Sequence, residues 1–106
     1  LTYFGYTSFN SPMVVHKYNL DSYKDEIFFK PELKFDPDQF ETSQVFVTSK
    51  DGTKVPLFIC HKKGLKLDGS NPVYLYGYGG FNISKVPSFS TTMLTWMQRG
   101  GIFAQA

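Results

Sequence analysis

The run "VYLYGYGGFNISKVPSFS", Val73 to Ser90, constrains the fold more than any other part of the chain. Val73 to Tyr78 is continuously apolar or aromatic, the pattern of a strand covered on both faces in a parallel sheet. Gly77, Gly79 and Gly80 then interrupt it. Pro87 with Ser88 or Ser90 supplies a helix start, Phe89, Met93, Trp96 and Met97 recur on one face, and Arg99 with Gly100 marks the end. "GIFAQA" opens a further strand. A strand, a helix and a strand in that order close as a right-handed crossover and make a parallel pair, so the chain needs an α/β layer.

Upstream, "ETSQVFVTSKDGTKVPLFICHKK" carries strand-like residues on both sides of Asp51-Gly52, a tight-turn dipeptide. Val55, Leu57 and Ile59 share one face and Phe58 and Cys60 the other. Pro56 cannot donate to a ladder, which places this hairpin at a sheet edge. An open α/β sheet that begins with an antiparallel hairpin has the opening order of an α/β-hydrolase. Earlier still, Tyr3 to Phe9 and Met13 to Leu20 flank a turn at Asn10, Ser11 and Pro12, and Ile27 to Phe29 forms a third short run. "KPELKFDPDQ" breaks the pattern with two prolines among charges, and a domain boundary is placed there, dividing the chain into residues 1–36 and 37–106.

Composition excludes several function classes. The chain has 106 residues, 42% of them hydrophobic and 19% charged, so it is globular rather than disordered. A net charge of +2 is too small to imply a nucleic-acid or membrane-surface partner, and "HKKGLK", His61 to Lys66, reads as a solvated loop. The lone Cys60 excludes an internal disulfide and reads as a small apolar packer. It lies on the opposite strand face from its neighbour His61, which argues against a nucleophile and base pair. His16 and His61 lack metal-ligand spacing, and no metal is expected. No apolar run can cross a bilayer, and "LTYFGYTSFN" lacks the basic segment and apolar core of a signal peptide. With no initiator methionine and with ends inside apparent strands, the chain is expected to be a piece of a longer protein.

Three chemistries compete for "YGYGGFN". A dinucleotide fingerprint fails because its third glycine would fall on Asn82, and no Gly-Lys-Ser or Gly-Lys-Thr follows for a phosphate loop. Gly77-Tyr78-Gly79 matches the centre of an RNA-recognition motif, but Tyr76 and Gly80 break its ends; an RNA-binding β-rich module using this loop is the alternative reading. An oxyanion hole is the third. In α/β-hydrolases the loop between the third strand and the first helix contributes a donor to the developing oxyanion, and a tyrosine phenol carries a proton to donate near neutrality. Tyr78 lies in that loop, and Phe81 could present a flat apolar wall. On spacing alone, the favoured reading of both rings is core aromatics beside a simple turn, since aromatic residues are mostly packing elements.

The segment Ser49 to Ser90, above all "SKDGTKVP" and "YGYGGFNI", closely resembles the prolyl oligopeptidase family of cytosolic serine peptidases. The likeness extends upstream through "YFGYTSFNSPMVVHKYNL", similar to outer strands of the last blade of that family's β-propeller, and downstream through "MQRGGIFAQA". The resemblance implies an incomplete α/β fold: the end of a propeller over residues 1–36 and the first part of an α/β-hydrolase domain over 37–106. It implies a monomeric cytoplasmic parent enzyme, without cofactor, that cleaves after proline in short peptides. Tyr78 matches the tyrosine whose hydroxyl helps form the oxyanion hole, and Phe81 a wall of the proline pocket. No G-x-S-x-G occurs, so the nucleophile elbow is missing and the fragment alone is expected to be inactive. Neither histidine is assigned as general base. Trp96, on the expected helix, is not equated with the family's proline-stacking tryptophan.

Overall fold

The alternating N-terminal aromatics form strand β1 (Thr2–Tyr6), which pairs antiparallel with β2 (Val14–Asn19), and β2 pairs with β3 (Lys24–Phe29). This three-stranded sheet belongs to a computed structural model that describes residues 1–106. Strand β3 begins three residues earlier than its apolar letters suggest, because cross-strand charge supports a polar start. Lys17 Nζ lies 3.3 Å from Glu26 Oε2 and His16 Nδ1 lies 3.0 Å from Asp25 Oδ1. Between β2 and β3, the Asn19 side chain accepts from the amides of Asp21 and Ser22. That is the local side-chain bonding that makes asparagine a turn residue.

A single 3₁₀ turn, Pro37–Gln39, capped by the Asp36 carboxylate, then leads into the second sheet. There β4 (Phe40–Thr48) and β5 (Lys54–Lys62) form the expected hairpin. Its turn closes with Gly52 N donating to Ser49 O at 3.0 Å, and the positive φ, +85°, falls on Gly52. The sheet order is β4-β5-β7-β6, with β6 spanning Val73–Tyr76 and β7 spanning Ile102–Gln105. β7 runs antiparallel to β5 and parallel to β6. Since β5 meets β7 only over Phe58–Cys60, Pro56 lies where β5 has a partner on one side alone, and its missing donor costs no ladder bond.

The chain leaves β6, forms α1 (Thr91–Gln98) and returns as β7 between β6 and β5. Ser90 is the N-cap, its hydroxyl accepting from Met93 N. At the other end Gly100 adopts φ +88°, its amide donates to Met97 O, and the amide of Gly101 donates to Trp96 O. This pair of bonds is a Schellman ending, which requires a left-handed residue and so favours glycine. Phe89 precedes the cap and stacks on Phe35 instead of lying on the helical stripe, where the buried residues are Leu94 and Met97.

The burial expected for Val73 to Tyr78 is found on a different strand. All four residues of β7 are buried, whereas β6 is the sheet's edge, with Val73, Tyr74 and Leu75 exposed, and it ends at Tyr76. Helix α1 packs chiefly on β7 and β5, and the first three residues of the edge strand stay exposed. The core consists of Phe9, Phe40, Cys60, Leu94, Met97 and Phe103. Phe9 is not a strand residue: it lies in the loop after β1 and inserts between Phe58 and Phe103, 5.6 Å from each ring. With Asn10 Nδ2 donating to Pro37 O at 2.8 Å, this loop is fastened to the second sheet. His61 is also not part of a solvated loop. It lies on β5, buried, with Nδ1 2.9 Å from Lys62 O and 3.7 Å from Glu41 Oε1; the lysines and Gly64 after it are exposed. No helix is long and apolar enough to cross a membrane.

Candidate functional site

The glycine-rich loop starts at the carboxyl end of β6, where that strand pairs in parallel with β7. In open α/β sheets the carboxyl ends of the strands are where ligands bind, because the loops there can converge without disturbing the sheet. Tyr74, Tyr76 and Tyr78 alternate along the chain with Leu75 and Gly77 between them. Tyr74 packs on Phe103, Tyr76 flanks the core, and Tyr78, past the end of the strand, is 45% exposed. An exposed phenol beside a sheet end can donate its proton to an incoming negative oxygen.

Of the three glycines, only Gly79 has positive φ, +63°. The sharper feature comes next. Ile83 N donates to Gly80 O at 3.1 Å, and the two residues between them, Phe81 and Asn82, have φ of +51° and +52°. Left-handed geometry at both central positions is that of a type I′ turn. Asn82 tolerates it readily, since its short polar side chain suits this region. Phe81 does not, at a cost of about 1–2 kcal/mol. The result is a phenylalanine held out at the tip of the turn, 91% exposed. The turn encloses a shallow hollow of about 280 Å³ lined by Gly79 to Ser84.

Two larger hollows lie elsewhere. One, of about 540 Å³, is walled by the loop after β1 together with Thr42, Val86 and Pro87. Another, of about 480 Å³, lies between Tyr74 and the helix residues Met93 and Trp96. Neither contains Tyr78 or Phe81, so apolar volume alone does not locate the loop. Lys85, overlooked in the sequence, sits with its ammonium 5.5 Å from the Tyr78 ring centre and 5.7 Å from that of Tyr76. Its proximity arises from the I′ turn, which reverses the chain and brings position 85 back along the tyrosines. Gly77-Tyr78-Gly79 occupies a loop, so it does not present its ring on a sheet face as an RNA-recognition motif does.

The two histidines belong to other surroundings. His16 is on the first sheet, paired with Asp25 and stacked on Phe4, and His61 is buried near Glu41. Cys60 is fully buried, and burial pushes its thiol up, partly opposed by the Thr42 hydroxyl that donates to its sulfur at 3.1 Å. A thiol held protonated in this way is a packing group.

No family model matches the chain. The chain is 50% identical over 102 residues to the prolyl endopeptidase of Elizabethkingia miricola, covering 96% of this chain and 14% of that protein. Among solved structures, one from a structural and mechanistic analysis of two prolyl endopeptidases matches with a TM-score of 0.90 at 43% identity, over 97% of this chain and 15% of the other. Prolyl oligopeptidase B from Galerina marginata, bound to a 35mer hydrolysis and macrocyclization substrate, matches with a TM-score of 0.88 at 39% identity, over 99% of this chain and 16% of that one. The chain thus spans about one-seventh of the length of these relatives. Two sheets joined at Pro37, the β4-β5-β7-β6 order and these matches agree: this chain belongs to the prolyl oligopeptidase family and corresponds to the end of its β-propeller and the opening of its α/β-hydrolase domain.

Proposed function

We propose that this chain works as part of a longer serine endopeptidase that hydrolyses short peptides on the carboxyl side of proline, and that it supplies one oxyanion donor and one specificity wall to that site. Residues 1–36 close the propeller and residues 37–106 open the catalytic domain. The observation that carries the reading is the pairing of a half-exposed phenol, Tyr78, with an almost fully exposed ring, Phe81, on one loop at the carboxyl end of a parallel strand.

The mechanism follows from those positions. When a serine attacks the proline carbonyl, the carbonyl oxygen becomes an oxyanion, and the Tyr78 hydroxyl donates to it alongside a backbone amide. Phe81, pinned by the I′ turn, offers its face to the pyrrolidine ring. The left-handed strain at Phe81 is consistent with an imposed functional geometry. With no nucleophile elbow among these residues, the segment alone performs no hydrolysis.

The test is Tyr78→Phe in the full-length enzyme with a chromophoric prolyl peptide. Loss of one oxyanion donor costs about 3–4 kcal/mol of barrier, a roughly hundredfold to thousandfold fall in kcat with KM little changed. Unchanged turnover in the variant would remove Tyr78 from the mechanism.

A further inference from the structure

We infer that Lys85 is a positioning residue for Tyr78, an inference that rests on the oxyanion reading above. The Tyr78 ring is 45% exposed, so packing alone does not fix the direction of its hydroxyl. Its chain neighbours Gly77 and Gly79 carry no side chain to wall it in, and at Gly80 a Cβ would stand 3.7 Å from Tyr78 Cε1. Beside that approach the ring is held electrostatically: the Lys85 ammonium lies 5.5 Å from the Tyr78 centre and 5.7 Å from the Tyr76 centre. Both distances are within the range in which the negative face of an aromatic ring attracts a cation.

Tyr76 is the fixed end of this arrangement. It is the last residue of β6, it is bonded through its carbonyl to Ala106 N at 2.9 Å, and it packs against the core. Lys85 thereby ties the half-exposed ring of residue 78 to an anchored one. The segment that carries Lys85 is held in its turn, since Val86 O accepts from the buried Gln105 side chain of β7. A donor that must meet a developing charge within hydrogen-bond distance gains from such restraint, because the orientation is set before the reaction begins.

Four variants of the full-length enzyme test the inference: Lys85→Met, Lys85→Arg, Tyr78→Phe and the double variant Lys85→Met with Tyr78→Phe. An exposed cation–π contact corresponds to about a twofold to fivefold effect. Lys85→Met should therefore lower kcat by that factor with KM little changed, and Lys85→Arg, which keeps the cation, should restore it. In the Tyr78→Phe background the ring remains but there is no hydroxyl to aim, so Lys85→Met should have no further effect on kcat. Equal losses from Lys85→Met in both backgrounds, or none in either, would overturn the role of Lys85 while leaving that of Tyr78 intact. Wild-type turnover by Tyr78→Phe would instead remove the oxyanion reading, and this inference with it.

Discussion

Adding one methyl group at Gly101 should destabilise the protein more than adding one at Gly100, although the latter has the unusual backbone. A Cβ on Gly101 would overlap Nε1 and Cε2 of Trp96 and stand 2.8 Å from its Cδ1. The indole cannot simply swing aside: it packs against the core cluster, and its Nε1 donates to Ile102 O at 2.9 Å. Overpacking of this kind costs about 1–3 kcal/mol, and losing the indole bond about 0.5–1.5 kcal/mol more. Gly101→Ala should thus cost about 2–4 kcal/mol. Gly100→Ala meets no neighbour within 4 Å and bears only its φ of +88°, a penalty of about 1–2 kcal/mol. Thermal melts of the full-length protein under one protocol should show Gly101→Ala melting several degrees lower, with a smaller drop for Gly100→Ala. Trp96→Phe supplies the control: a smaller ring leaves room, so the double variant should be more stable than the two separate losses imply. Wild-type melting of Gly101→Ala, or strict additivity with Trp96→Phe, would refute the close-approach account.

Two predictions concern ionisable side chains. Cys60, fully buried and with its thiol pushed up by burial, should resist alkylation at pH 8 in the native protein and react at once in denaturant; rapid native labelling would contradict its packing role. The Asp51 carboxyl is lowered from 3.8 to about 2, chiefly by the Ser49 hydroxyl and then by the Thr53 amide. A group depressed on folding favours the native hairpin above its unfolded pKa and loses that contribution as pH falls, here between about 4 and 2. An NMR titration of the Asp51 side chain should accordingly have its midpoint near 2, and a midpoint near 4 would deny the turn its hydrogen bonds.

Much of the fold was legible because its signals are local. Asp51-Gly52, Ser90 and Gly100 each satisfy a backbone requirement within a few residues, and all three sit where that chemistry places them. Phe9 and His61 were misread for the opposite reason. Their burial depends on partners such as Phe58, Phe103 and Glu41, which lie 20 to about 90 residues away in sequence, and no local pattern reports a partner that distant. The site shows the same division. Tyr78 and Phe81 were singled out as candidates from motif, but the left-handed pair of the turn after the glycines falls on Phe81 and Asn82, which no motif signalled. Lys85 emerged only once that reversal had brought it onto the tyrosines.

Strand β6 shows how an apolar run can encode burial without specifying what provides it. Val73, Tyr74 and Leu75 have the letters of a doubly covered strand, yet they form the exposed edge of the sheet, while β7 occupies the centre. The order β4-β5-β7-β6 explains why: the crossover through α1 returns the chain to the inner side of β6, so β7 is the strand flanked on both sides. An exposed edge with such letters is unfavourable in isolation, since it presents both apolar surface and unpaired backbone groups. Relatives about seven times as long carry the additional chain that a cover for this edge requires. On the proposed oxyanion reading, the edge and the glycine loop are two parts of one arrangement: pairing along β6 would stiffen the strand that leads into Tyr78 and so couple completion of the sheet to the loop.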